Sequence, residues 1–166
     1  MNNWVEQVKN SIPEHSEKIK NNLDEAINNS ALEEADAHAC AFVSAISSGN
    51  GELAFEISMN GPLMGSSERE LAKKAASFIG MSNVYHFFQE LYDATSEDDH
   101  FLDVEISDSD KSKFEMYALA AGIASKCKHN TEKYLAKVSK QGLTNEQIQS
   151  IGKISAVVSS IGKIAL

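Results

Sequence analysis

Apolar residues recur at intervals of three and four along almost the whole chain, and alternating β-branched runs are scarce. A spacing near 3.6 gathers such residues on one face of a helix, whereas a strand would need a period of two. The clearest case is the last stretch, where Thr144-x-x-Gln147 precedes Ile148, Ile151, Ile154, Val158 and Ile161. The Thr/Gln pair has the pattern of a capping box. Only two prolines and nine glycines interrupt 166 residues. The expected fold is all-α, about seven helices in one domain over residues 1–166.

The same pattern predicts the remaining elements. Ile12, Ile19, Leu23 and Ile27 share a helical face, with Ser11-x-x-Glu14 as its capping box and Pro13 in its first turn. Leu32, Ala35, Ala39, Phe42, Val43 and Ile46 form a second stripe that ends at Gly49-Asn50-Gly51. A short helix over about 52–59 stops at Gly61-Pro62. Ser67-x-x-Glu70 then opens a long helix whose Leu71, Ala75, Phe78, Ile79, Tyr85, Phe88 and Leu91 are expected to face the core. Residues 93–110 carry eight acidic groups and little periodicity, so 93–111 reads as an acidic connecting loop. Ser112-x-x-Glu115 is a third candidate capping box, before a helix through Phe114, Leu119 and Ile123. A further helix from about Cys127 to Gln141 has Gly142 at its C-terminal cap.

Composition narrows the partners. Apolar residues make up 42% and charged residues 23%, a globular balance, and the net charge is −9. That charge argues against a nucleic-acid backbone or an anionic membrane as partner. No run approaches the roughly 18 apolar residues of a membrane span. The opening Met1-Asn2-Asn3-Trp4 has neither a basic nor an apolar region, so no signal peptide is expected. Two cysteines make no disulfide scaffold, which points to a reducing, cytoplasmic setting. The Asp98-Asp99 and Asp108-x-Asp110 pairs lack the glycine and terminal glutamate of a calcium loop, and neither a metal nor a cofactor is expected.

The chemically suggestive stretch is Lys126-Cys127-Lys128-His129-Asn130. At a helix start, free backbone N–H groups and the helix dipole favour a thiolate, and adjacent cations act in the same sense. Cys40, on an alanine-rich helix, reads instead as a small buried hydrophobe. Glu115 lies twelve residues before Cys127. On one straight helix that is about 18 Å along the axis and roughly 120° around it. The two groups can meet only if the chain breaks between them, with Ser125-Lys126 the expected place. The alternative role for Glu115 is to cap Ser112.

Several segments, taken in order, resemble a known family. Val5-Glu6-Gln7-Val8-Lys9, Ile12-Pro13-Glu14 and Ile19-Lys20-Asn21-Asn22-Leu23 resemble its N-terminal helices. Gly80-Met81-Ser82-Asn83-Val84-Tyr85 is similar to its Met-x-Asn-Asn-Val-aromatic segment. Phe114-Glu115, a small-residue stretch, Cys127 and then Gly142-Leu143-Thr144 follow its motif helices. On these residues the chain resembles the alkylhydroperoxidase D-like (AhpD-like) members of the carboxymuconolactone decarboxylase family. The resemblance implies an all-α fold, a homo-oligomer built on trimers, and thiol-dependent reduction of peroxides with an external thiol or a lipoyl-type dithiol as donor.

The family motif is a glutamate, Cys-x-x-Cys, and a histidine four residues after the second cysteine. Glu115 and Cys127 match it, and His129 matches a histidine that some members carry between the cysteines. Asn130 stands at the second-cysteine position and Tyr134 at the relay-histidine position. An amide is no peroxide nucleophile and closes no disulfide, so the dithiol cycle is lost in its family form. A phenol with an ordinary pKa of about 10 relays protons poorly at neutral pH. Three functions stay open on these residues. The first is a weak alkyl hydroperoxide reductase-like antioxidant using Cys127, Glu115 and His129. The second is a catalytically retired oligomer acting as a binding protein. The third is a non-redox, decarboxylase-like enzyme drawing on His86, His129 and Glu115.

Overall fold

A computed structural model of the chain describes residues 3–61, 64–92 and 100–164, and these hold eight α-helices and one 3-10 turn. The helices are α1 (Trp4–Ser11), α2 (Glu17–Asn28), α3 (Glu34–Ser47), α4 (Gly51–Asn60), α5 (Ser66–Leu91), α6 (Lys111–Ala124), α7 (Lys128–Lys140) and α8 (Asn145–Ile161). The all-α expectation holds, with one helix more than the apolar stripes indicated. No described helix is long and apolar enough to cross a membrane.

The alanine-rich helices α3 and α6 pack against each other at the centre, with α5 and α8 both in contact with the pair. In α3 every side chain from Asp36 to Ala45 is buried, and in α6 every one from Phe114 to Gly122. A helix buried on all sides needs small residues, and alanine also carries the strongest helix propensity. The buried Asp36, Tyr117 and His38 of this centre are paired, as burial demands. Asp36 accepts from the Tyr117 hydroxyl at 2.7 Å and from Lys113 Nζ at 3.2 Å. The Trp4 indole donates to His38 Nδ1 at 2.8 Å, tying α1 to α3.

Three expectations are corrected. The helix expected at Ser11 begins at Glu17: Ile12 caps the C-terminus of α1, Pro13 leads into the 3-10 turn Glu14–Ser16, and the Ser11 hydroxyl bonds back to the Val8 carbonyl. Ser67 and Ser112 lie inside α5 and α6, so neither is the N-cap, whereas the Thr144/Gln147 capping box forms with both of its bonds. The aromatic stripe of α5 is core only in its first half. Leu71, Ala75, Phe78 and Ile79 are buried, Tyr85 is half-buried, and Phe88 and Leu91 are 48% and 74% exposed. Length explains this: 26 residues run about 39 Å, while the 14-residue α3 and α6 run about 21 Å, so the end of α5 outruns the pair it packs on.

The expected acidic connection falls partly outside the described residues, at 93–99. Its remainder, 100–110, is irregular chain with turns at 101–102 and 108–110, before α6 begins at Lys111.

Candidate functional site

The chain breaks between α6 and α7, where Ser125-Lys126 was expected to break it. Lys126 N–H donates to the Ile123 carbonyl at 3.0 Å and Cys127 N–H to the Gly122 carbonyl at 3.0 Å. This is a Schellman ending, and its left-handed position is filled by Lys126 at φ 56° rather than by glycine. Cys127 is therefore the last residue of the α6 cap and the N-cap of α7. Gly122 permits the arrangement, because a β-carbon there would meet the Thr131 backbone nitrogen at 3.2 Å.

Cys127 is partly exposed in an open hollow of about 290 Å³, lined by Ile123, Lys126, Lys128, Thr131 and Glu132. Lys128 Nζ lies 3.8 Å from Glu132, both on the exposed side of α7. Asn130, one turn further on, is completely buried, and its Nδ2 stands 3.7 Å from Cys127 Sγ. The same nitrogen lies 2.6 Å from Asn83 Oδ1 and 3.2 Å from Ser82 Oγ, both on α5. Asn83 in turn donates through Nδ2 to Ser125 Oγ at 2.9 Å. A partly buried polar ladder thus joins α5 to both sides of the helix break.

The other candidate residues occupy separate surroundings. His129 is exposed on α7 and stacks on His86 of α5, with ring centroids 3.7 Å apart. His86 Nε2 lies 3.2 Å from Glu90. Partial desolvation, the neighbouring His86 and Lys133 hold the His129 pKa below its ordinary value. Glu115 is buried in α6 and accepts from Gln141 Nε2 at 3.2 Å, so its partner is the end of α7 and not Ser112. Tyr134 is buried against Phe114, and its hydroxyl pKa is pushed up to about 12 by burial and by Glu115. Among the described residues no hydrogen bond joins Glu115 to Cys127 or to His129.

The second cysteine takes no part. Cys40 is fully buried in α3, and burial together with Asp36 raises its thiol pKa far above the ordinary value. Sequence reasoning missed Ser82 and Asn83 as members of the thiol's surroundings. Their signal lies in Gly80-Met81-Ser82-Asn83-Val84-Tyr85, a segment that carries the family resemblance without assigning either residue a role.

No family model matches the chain. It is similar to the alkyl hydroperoxide reductase AhpD of Hyphomonas neptunium, at 30% identity over 96% of this chain and 92% of that protein. It is also similar to those of Maricaulis maris, 28% identical over 96% of each chain, and Nocardia farcinica, 26% identical over 96% of this chain and 92% of that one. With the helical fold and the Cys127 helix start already in place, this similarity along nearly the full length means that the chain belongs to the alkyl hydroperoxide reductase AhpD family.

Proposed function

We propose that this chain is a single-thiol hydroperoxide reductase, in which Cys127 is the reacting sulfur. The observation that carries this reading is the position of Cys127: partly exposed at the N-cap of α7, in an open hollow, with an amide N–H as its buried neighbour. The Cys127 thiolate attacks a hydroperoxide oxygen and the O–O bond breaks. Cys127 becomes a sulfenic acid, and the alkoxide leaves as the alcohol after taking a proton. Asn130 supplies no second sulfur, so an outside thiol condenses with the sulfenic acid, releasing water and leaving a mixed disulfide. A second thiol, or the other arm of a lipoyl-type dithiol, then frees Cys127.

The motif departures at Asn130 and Tyr134 support slow turnover that depends on donor concentration. His129, exposed, is the candidate proton carrier acting through solvent, and Glu115, buried and bonded to Gln141, is the second candidate. The exposed apolar end of α5 (Val84, Phe87, Phe88, Leu91 and Tyr92) supports a homo-oligomer, with the trimer as the expected unit. A reducing cytoplasm fits the free thiols.

The test is consumption of cumene hydroperoxide with dihydrolipoamide as donor, comparing wild type with Cys127→Ser. Turnover that is abolished in the variant supports the reading, and turnover that survives it places the chemistry elsewhere. Asn130→Cys together with Tyr134→His should raise dithiol-dependent turnover and add a disulfide to Cys127. A retired protein would show neither turnover nor sulfenylation of Cys127 in the wild type.

A further inference from the structure

The polar ladder beside Cys127 has a fixed direction. The Ala121 carbonyl can only accept, and it takes the Ser125 hydroxyl proton at 2.7 Å. Ser125 Oγ is then the acceptor for Asn83 Nδ2 at 2.9 Å, which turns Asn83 Oδ1 toward Asn130. An amide oxygen only accepts. Asn130 must therefore present its NH2 group to Asn83, at 2.6 Å, and the same NH2 group faces Cys127. One of its two hydrogens is committed to Asn83. The other has two acceptors in reach, Ser82 Oγ at 3.2 Å and Cys127 Sγ at 3.7 Å, while the Ser82 hydroxyl proton points to Asn130 Oδ1 at 3.4 Å and leaves the Ser82 lone pairs to accept.

Those two acceptors differ in how they respond to ionisation. A neutral thiol is a weak acceptor, so the free hydrogen belongs to Ser82 while Cys127 is protonated. A thiolate is a charged acceptor, and hydrogen bonds to charged groups are the stronger class. Losing the thiol proton therefore draws the amide hydrogen from Ser82 to sulfur. Because Asn130 is wholly buried and Ser82 nearly so, water competes little for that hydrogen.

We propose that Asn130 is a positioning residue that stabilises the Cys127 thiolate through its side-chain amide, with Ser82 as the competing acceptor that holds the amide when the thiol is neutral. The proposal rests on Cys127 being the reacting sulfur and gives position 130 a role that a second cysteine could not fill. The charged and titratable groups around the sulfur are Lys126, Lys128 and Glu132 on its own side, with His129 and, from α5, His86 and Glu90 beyond it. Asn130 and Ser82 are both neutral, so replacing them by apolar residues leaves all of those charges in place.

The experiment is the pH dependence of Cys127 alkylation by iodoacetamide, a neutral reagent, with Cys127→Ser giving the background and Cys40 silent by burial. Asn130→Leu removes the donor and should raise the midpoint of the profile by at least about half a pH unit, roughly a threefold slower reaction below the midpoint. Ser82→Ala removes the competitor and should lower the midpoint. A packing role alone would move both in the same direction or neither. Opposite shifts support the proposal, and equal, absent or parallel shifts overturn it. Should Asn130→Leu fail to fold by circular dichroism, Ser82→Ala alone decides: a lower midpoint supports, and an unchanged or higher one overturns. Dimedone labelling after cumene hydroperoxide is read separately on the wild type. No label would sink the peroxide reading while the alkylation profiles still judge Asn130.

Discussion

The imidazole rings of His86 and His129 stack with centroids 3.7 Å apart and planes 17° from parallel, clamping α5 to α7 beside the thiol hollow. Two rings at that distance cannot both take a proton without repulsion, and His129 is already held below its ordinary pKa by partial desolvation, His86 and Lys133. In a histidine-detected NMR titration the His129 midpoint should fall below about 6.5. His86→Asn should move it upward. A midpoint unchanged by that substitution would mean that the contact carries no electrostatic coupling.

Acid sensitivity of the fold should come from His38. Burial lowers its pKa, with Glu34 opposing, and the Trp4 indole donates to its Nδ1, which needs the neutral ring. The unfolded chain then binds a proton that the native one refuses. Stability is full above the unfolded pKa of about 6.5 and is lost as pH falls toward the lowered native value, at up to about 1.4 kcal/mol per pH unit for one group. Urea midpoints at pH 7.5 and 5.5 measure this. His38→Gln should flatten the difference, and an equal slope in the variant would assign the acid sensitivity to other groups.

Leu119 and Leu91 both sit at helical apolar positions, yet they should respond in opposite ways. Leu119 is wholly buried in α6, so Leu119→Ala should cost about 2–5 kcal/mol in chemical denaturation. Leu91 is 74% exposed at the end of α5. Phe87→Glu with Leu91→Glu should keep the helical circular-dichroism spectrum while lowering the mass by light scattering. A variant whose mass equals the wild type's would show that this end of α5 is no subunit contact.

Lys126 holds a left-handed backbone without glycine's freedom, a conformation that costs a side-chain-bearing residue about 1–2 kcal/mol. Lys126→Gly removes that cost but loosens the unfolded chain, which takes back about 0.4–1 kcal/mol. The expected outcome is stability unchanged or raised by up to about 1.6 kcal/mol, read from the denaturation midpoint. Lys126→Val should destabilise. Should it not, the left-handed turn is not what separates α6 from α7.

Local signals were legible in the sequence where both partners lie within one turn. Thr144 and Gln147 cap α8 as their spacing says, and Gly142 ends α7 in the left-handed conformation read for it. The same Ser-x-x-Glu pattern at 112 misled, because Glu115 is taken by Gln141, 26 residues away, and α6 starts before Ser112. The break at Ser125-Lys126 was expected, but the residue in the left-handed position was not, since lysine is no turn signal. Periodicity told which face of α5 is apolar without telling where α3 and α6 end. Asn130 read as a missing sulfur; its amide geometry depends on Asn83 and Ser125, which no spacing rule connects.

Trp4 is the chain's one tryptophan, buried and bonded to His38. Its fluorescence is consequently a private optical channel for the seating of α1 on α3. Cys127, the partly exposed one of the two cysteines, is a private chemical channel for the α6–α7 end of the molecule. Emission and thiol labelling, followed in a single denaturant series, would separate fraying of the N-terminal helix from opening of the α6–α7 junction, with no foreign dye and no added residue.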